Sequence, residues 1–261
     1  MTQPDLFAPD PPVLPSIADL IAARALFVVN HSGGKDSQAM LIEIARLVPA
    51  SQIVVVHASL GEIEWHGALE LAQEQAAALG VPFIVARAEK SFLDMVERRF
   101  AIRPDVPSFP SASTRQCTSD LKRGPIEREI RRHAKAVGAR IVVNCTGIRA
   151  AESASRAKVE VFKKHERNSV AGRDWYEYAP IHAMSTAAVF ETIRAAGQEP
   201  HPAYAAGNER LSCVFCIMGS RNDLKKGAAA RPELFEKFAA LEERTGYTMH
   251  MSRKSLRELV A

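Results

Sequence analysis

A short apolar strand that breaks into a paired-glycine turn constrains this chain more than any other feature. The run Phe27-Val28-Val29-Asn30-His31 leads into Ser32-Gly33-Gly34-Lys35-Asp36-Ser37, and a helical pattern from Gln38 to Leu47 follows at once. Paired glycines let the backbone approach an anion closely. The amides opening a helix aim the positive end of its dipole at that anion, and Lys35 with two hydroxyls adds donors. The reading is a phosphate cradle, against the plainer alternative of a glycine turn that closes a strand. Spacing excludes the Walker loop, which needs four residues between its first glycine and its Gly-Lys pair. Asp36 offers a carboxylate on the metal side of a bound phosphate, or else a helix cap.

At 261 residues the chain can bury a full core, so one α/β domain with a smaller appendage is expected. No stretch approaches the roughly 18 uninterrupted apolar residues of a membrane span, and no membrane partner is expected. Residues 1–15 are proline-rich and acidic, with no basic or apolar targeting region, and read as a disordered leader before a cytoplasmic domain. The net charge of +4 is mild, but its distribution is uneven. From Leu121 to Lys135 six basic residues face two acidic ones, and from Arg149 to Arg173 seven face three. These stretches are either solvated helix faces or a polyanion groove.

Apolar runs Leu26 to Asn30, Ile53 to His57, Phe83 to Ala86 and Ile141 to Cys145 are short, rich in Val and Ile, and separated by helical patterns. That alternation predicts a parallel sheet with helices on both faces. Ligands on such sheets sit at the carboxyl ends of the strands. The segments Ser32 to Ser37, Ala58 to Gly61 and Thr146 to Arg149 all follow strands, which places three candidate loops on one edge. Residues 16–173 are therefore expected to form the nucleotide-binding domain. Residues 174–261, aromatic and proline-punctuated, are expected to form a cysteine-containing lid whose last helix runs from Pro232 to Thr245. Asp105 to Ser113 reads as a mobile loop able to gate a site.

Four cysteines, Cys117, Cys145, Cys213 and Cys216, are spaced for metal or redox chemistry rather than a disulfide framework. Cys213-Val214-Phe215-Cys216 lets one turn present two thiols to one metal or cluster. Basic neighbours and a helix start around Cys117 are expected to depress its thiol pKa. With the loop folded back, Cys117, Cys213 and Cys216 supply three corners of a [4Fe-4S] cluster and leave one iron open. A structural zinc and a simple dithiol pair are the alternatives. Cys145 could close the cluster, although its place at the end of an apolar strand favours a small core hydrophobe. Further along, Gly147 stands at a strand exit, and Arg149 and Arg156 lie seven residues apart. On a helix that spacing puts both guanidiniums on one face, with Glu152 between them to hold their geometry or touch a ribose. A surface ion-pair network is the alternative.

Together these pieces resemble the phosphoadenosine phosphosulfate reductase-like family, a branch of the adenine nucleotide α-hydrolase group. The Ser32 to Ser37 turn resembles the pyrophosphate loop of the ATP pyrophosphatase superfamily. The likeness runs from about Leu26 to Glu243. Its marks are that loop, His57-Ala58-Ser59-Leu60-Gly61, Gly147-Ile148-Arg149 with Glu152, Ser153 and Arg156, the Tyr204 to Gly207 turn with Arg210, and the Cys213/Cys216 pair. The resemblance implies a Rossmann-like sheet that binds ATP and Mg2+, with adenine against the backbone at His57 and Ala58 and phosphates on Ser32, Gly33, Gly34, Lys35, Asp36 and Ser37. Gly147, Arg149, Glu152 and Arg156 complete the implied nucleotide site. Lys35, Asp36, Cys117 and Arg149 are the implied catalytic residues, with Lys122 and Arg123 as further charge stabilisers.

Three activities in this family compete. Reductases of adenylyl sulfates carry a degenerate phosphate loop and a cysteine near the C-terminus; here the loop is complete and no thiol follows Cys216. The small subunit of ATP sulfurylase is not expected to use a CxxC pair. The chain looks closest to ATP-dependent sulfur-transfer enzymes, above all the ATP pyrophosphatase component of DNA phosphorothioation systems. These adenylate an oxygen, release pyrophosphate and let sulfur displace AMP. That likeness implies a cysteine desulfurase or other sulfur donor and a nucleic-acid acceptor, DNA ahead of tRNA; a homodimer is compatible with it. The reductase, a tRNA thiolation enzyme and a non-catalytic nucleotide sensor are the remaining readings.

Overall fold

The computed structural model describes residues 14–261, so the expected leader lies outside the described residues except for its last two positions. In chain order the first half comprises α1 (Ile17–Ala22), β1 (Leu26–Asn30), α2 (Lys35–Leu47), β2 (Ile53–Ser59), α3 (Ala68–Ala78), β3 (Phe83–Arg87) and α4 (Phe92–Ile102). It continues with α5 (Gln116–Thr118), a π-helical turn over Ser119–Arg123, α6 (Gly124–Ala136) and β4 (Ile141–Cys145). The remainder is α7 (Ala154–Ala157), β5 (Phe162–Lys164), β6 (Asp174–Tyr178), α8 (Thr186–Ala195), α9 (Arg221–Ala230), α10 (Pro232–Thr245) and α11 (Leu256–Val260).

Six strands form one sheet in the order β3-β2-β1-β4-β6-β5, parallel except for β5, which runs antiparallel to β6 at the edge. Continuous Val, Ile and Phe runs suit central strands covered on both faces. One face packs Phe27, Val29, Val55 and Val143 against Met40, Leu41 and Ile44 of α2. The other packs Val28, Val54, Val142 and Trp175 against Ile130 and Ala134 of α6. Edge strand β5, Phe162-Lys163-Lys164, carries the lysines that blunt an exposed edge. The chain leaves β1 toward β2 and β3, then returns to β4 on the other side of β1. The order reverses between β1 and β4, and in such sheets the crevice at that switch point receives the ligand.

A third core joins Phe92 and Val96 of α4 with Phe109, Val214, Phe215, Phe238 and Leu241. It bonds the C-terminal helices to the α4 side of the sheet. Three local expectations give way here. The sheet continues past residue 173, because Asp174–Tyr178 pairs with β4 residue by residue from Ile141↔Asp174 to Cys145↔Tyr178. The expected gating loop at 105–113 is anchored by Phe109, which is 5% exposed in that third core. Finally, Arg149 to Arg156 is not one helix: a 3-10 turn at Ala150–Glu152 stops at Ser153, whose extended backbone (φ −172°) starts α7 afresh. No helix among the described residues is long and apolar enough to cross a membrane.

Candidate functional site

The cradle closes on itself through local donors. Ser32 N–H donates to Ser37 Oγ at 3.1 Å, and Ser37 Oγ donates to the Gly34 carbonyl at 2.8 Å. Gly33 has a φ of +72°, and a Cβ there would stand 2.4 Å from the Ala68 carbonyl oxygen, so both conformation and space demand glycine. A Cβ on Gly147 would meet the Asp36 carbonyl carbon at 3.2 Å, which brings the exit of β4 directly against the first turn of α2. Two glycines thus keep side chains out of the crevice at the switch point. Helix α2 begins at Lys35 with Gly34 as an uncapped N-terminal residue, so Asp36 lies in the first turn and is no cap.

Ion pairs run along that turn. Arg149, 3% exposed, donates from Nε to Asp36 Oδ1 at 2.6 Å and from its terminal nitrogen to the Met184 carbonyl at 3.1 Å. Asp36 Oδ2 lies 3.4 Å from Lys35 Nζ. Glu152 accepts the Arg149 backbone N–H at 3.1 Å, binds the Arg156 guanidinium and lies 3.7 Å from Arg210. Arg149 and Arg156 therefore meet through Glu152 rather than by sharing a helix face. Lys35 is 4% exposed; its ammonium donates to the Glu209 carbonyl at 3.0 Å and lies 5.0 Å from the centre of the Tyr204 ring. The Tyr204 hydroxyl accepts the Lys35 N–H at 3.0 Å, and burial pushes its pKa up to about 12.

Beneath the cradle His57 pairs with His31, which the sequence did not mark. His31 Nδ1 accepts the Gly33 N–H at 3.0 Å, so that nitrogen carries no proton. Burial first, and the neighbouring His57 second, hold the His31 pKa down to about 3. His57 is fully buried: Nδ1 donates to the His31 carbonyl at 2.8 Å and Nε2 lies 2.7 Å from Glu64 Oε1. The His57 ring is thus a structural bridge, and the backbone at His57 and Ala58 expected beside adenine belongs to the carboxyl end of β2, where Ala58 and Ser59 are half-buried.

Glu64 also leads to the thiols. Cys213 foremost, then Cys216, Cys117 and Glu64, act through their charge on the Lys122 ammonium and raise its pKa. The structure thus brings Cys117, Cys213 and Cys216 together, all as free thiols. The expected depression of the Cys117 pKa is overturned: burial pushes it up and outweighs the pull of Lys122. Burial likewise pushes Cys213 up to about 11. Among the described residues no three His, Cys, Asp or Glu side chains converge closely enough to hold a metal ion. Lys122 is charge-coupled to all three thiols, and the three-cysteine ligand set expected for a [4Fe-4S] cluster or zinc finds no support in this arrangement. Cys145 lies apart from the other three, fully buried in the α2 core, with its thiol directed at the Val143 carbonyl and its pKa driven far up by burial. It is a core residue and no ligand.

A parallel α/β sheet with a glycine-lined cradle at its switch point defines a nucleotide-binding protein of the pyrophosphate-loop type. The sequence profile of the Phosphoadenosine phosphosulfate reductase domain matches residues 27–218, and the chain belongs to that family. It is 22% identical over 218 residues to an uncharacterised protein of Methanocaldococcus jannaschii, aligning 84% of this chain with 48% of the relative. The chain thus spans about half the length of that relative. Similar solved structures include phosphoadenylyl-sulfate (PAPS) reductase from Candida auris in a phosphate complex, with 14% identity, a TM-score of 0.46, and coverage of 72% of this chain and 80% of that one. The NH3-dependent NAD synthetase of Campylobacter jejuni gives 10% identity and a TM-score of 0.41 with 90% of each chain covered. Glutamine-dependent NAD+ synthetase from Acinetobacter baumannii in complex with ADP gives 15% and 0.44, covering 97% of this chain and 45% of that one.

Proposed function

We propose that this protein splits ATP between its α and β phosphates, transfers the adenylyl group to an acceptor oxygen, and lets sulfur displace AMP. The observation that carries this reading is the complete cradle, in which Gly33, Gly34 and Gly147 clear the space and Lys35 and the first amides of α2 supply positive charge for a leaving pyrophosphate. Asp36 is the carboxylate there that would hold Mg2+, which binds through one or two carboxylates together with substrate phosphates and neutralises the leaving group. Arg149 fixes Asp36 from behind, and Arg156 and Arg210 border the same crevice through Glu152.

Sulfur reaches the site as a persulfide on one of the three thiols, loaded by a cysteine desulfurase or similar donor. Its terminal sulfur attacks the adenylated acceptor and AMP leaves. A second thiol then attacks the carrier cysteine's sulfur, which frees the sulfurated acceptor and leaves a cysteine disulfide; an external dithiol returns that disulfide to two thiols. Lys122 stabilises each thiolate in turn. The basic stretch from Arg149 to Arg173, continuous with the β4 exit, suits a polymer acceptor, DNA ahead of tRNA.

The test is pyrophosphate and AMP release from ATP and Mg2+ by anaerobically purified protein, with and without DNA or tRNA. Release establishes adenylation, and the polymer that stimulates it names the acceptor. No release in any mixture, with adenylyl sulfate consumed when a thiol donor is added, would establish the reductase instead.

A further inference from the structure

A cleft of about 470 Å³ opens between α4 and the wall formed by the π-helical turn and α6, two strands away from the cradle on the same carboxyl edge of the sheet. Neighbouring strands lie roughly 4.8 Å apart, so the cleft stands on the order of 10 Å to the side of β1. Helix α4 turns Phe92 and Val96 into the third core and presents Met95, Arg98, Arg99 and Ile102 to the cleft, the spacing of a single helix face. From the opposite wall come Leu121, Pro125 and Arg128. The proposed site is therefore a groove with an aliphatic floor and a basic rim.

Two of its five cations are uncommitted, since Arg99 donates to the Pro107 carbonyl at 2.9 Å and Arg103 pairs with Asp105. Lys90 and Arg98 have no ion-pair or hydrogen-bond partner among the described residues, whereas Arg128 is held by the Arg87 carbonyl at 2.7 Å and by Glu129. Of the two carboxylates at the cleft, Asp120 is tied to Gln116 and Ser119, and Glu89 stands exposed at the mouth. Residues 87–135 hold twelve Lys or Arg against seven Asp or Glu, an excess of five in a chain whose whole excess is four. Ile102, 64% exposed, leaves a large apolar side chain in water at the rim. The wall itself is unusual, since π-helical turns concentrate at functional sites.

We propose that this cleft binds a small organic anion, a molecule with an apolar body for Met95, Ile102 and Leu121 and a phosphate, sulfate or carboxylate for Lys90 and Arg98. The volume falls in the range of small-ligand sites. An unstacked base of a nucleic-acid strand is the weaker match, because platforms for such bases are aromatic and no Phe, Tyr or Trp lines this cleft. Methionine adapts its thioether to varied apolar shapes, which suits a floor that must receive a ligand body.

The experiment is calorimetric titration of the full chain, without ATP, with 1-naphthyl phosphate, inorganic phosphate and a single-stranded oligonucleotide. Because no nucleotide is present, its outcome is independent of whether pyrophosphate is released. Saturable binding of one equivalent of 1-naphthyl phosphate is expected, about tenfold weaker after Arg98→Ala or Lys90→Ala through loss of a charge-assisted contact. Met95→Glu should abolish it, and the exposed Ile102→Glu should weaken it in a chain that keeps its fold. Inorganic phosphate alone should bind more weakly, lacking the apolar body. No saturation, equal affinity in all variants, or binding of the oligonucleotide alone would overturn the proposal.

Discussion

The Tyr204 hydroxyl accepts the backbone N–H of Lys35 at 3.0 Å, on the amide that opens helix α2. The same segment closes over the lysine side chain, whose ammonium donates to the Glu209 carbonyl. A Cβ on Gly34 would lie 3.2 Å from that hydroxyl. With its pKa pushed up to about 12, Tyr204 remains neutral at physiological pH and competes with a phosphate as a polar group, not as an anion. Tyr204→Phe frees the amide while it keeps the ring beneath Lys35. A net hydrogen bond of about 0.5–1.5 kcal/mol converts to roughly 2–10-fold tighter binding of a non-hydrolysable ATP analogue, read by calorimetry. Weaker binding would instead make the hydroxyl a phosphate ligand.

Lys35→Ala tests the cradle itself. Loss of a preorganised positive group from a developing anionic leaving group costs on the order of 100-fold in rate, so pyrophosphate release should fall by about that factor. Thiol titration with Ellman's reagent should still count the same reactive cysteines. A parallel loss of both signals would indicate a folding defect.

The Asp36–Arg149 pair joins the start of α2 to the β4 exit, and Arg149 is nearly inaccessible to solvent. Removal of one partner from a buried pair costs about 3–5 kcal/mol because it strands a charge, whereas replacement of both costs much less. Arg149→Met should accordingly lower stability in urea by about 3 kcal/mol, less if water reaches the partly exposed Asp36. Asp36→Asn in the same chain should recover part of that loss. Simple additivity of the two substitutions would show that the pair is not coupled.

His31 makes the phosphate turn acid-sensitive. Its pKa is about 3 when folded against the usual value near 6.5, so between these limits the unfolded chain binds a proton that the folded chain refuses. Stability then falls as pH drops from about 7 toward 3, by up to about 1.4 kcal/mol per pH unit. Urea midpoints at pH 7 and pH 5 should diverge in the wild type. His31→Asn, whose side-chain oxygen can still accept the Gly33 N–H, should narrow the gap. An equal gap in both proteins would assign the acid sensitivity to other groups.

What could be read from the sequence divides along physical lines. Strands β1 and β4 and the cradle were legible because their cause is local: unbroken apolar runs for buried strands, and glycines followed at once by a helix. Strand β6 was not, since Asp174-Trp175-Tyr176-Glu177-Tyr178 shows neither an unbroken aliphatic run nor a strict polar-apolar alternation. Its half-buried carboxylate Glu177 is satisfied by Asn144 and Trp175, at 2.9 Å each. The Arg149 to Arg156 spacing misled because a distant carboxylate, Asp36, draws Arg149 inward while the Ser153 hydroxyl caps α7. His31 and Glu64 were silent for the same reason: they bind through His57, which their own neighbours in sequence do not announce. Cys117 could be placed near the CxxC pair by chemistry, but the charge of Lys122 acting on the thiols, and the burial that raises the pKa of Cys117 and Cys213, exist only after folding.

That burial sets a measurable order of thiol reactivity. With Cys213 pushed up to about 11, little of it is thiolate at neutral pH, and Lys122 is the group that opposes the effect of burial. Alkylation of Cys213 by iodoacetamide, followed by mass spectrometry at each cysteine, should be slow at pH 7 and accelerate steadily to above pH 9. Lys122→Met removes the stabilising cation, so the pKa should rise further and alkylation at pH 8 should slow, on the order of tenfold for each pKa unit gained. Sulfur transfer should slow by a similar factor, because it needs the same thiolate, while pyrophosphate release at the cradle continues. Faster alkylation in Lys122→Met would mean that the lysine shields the thiols rather than activating them, and the persulfide route would lose its basis.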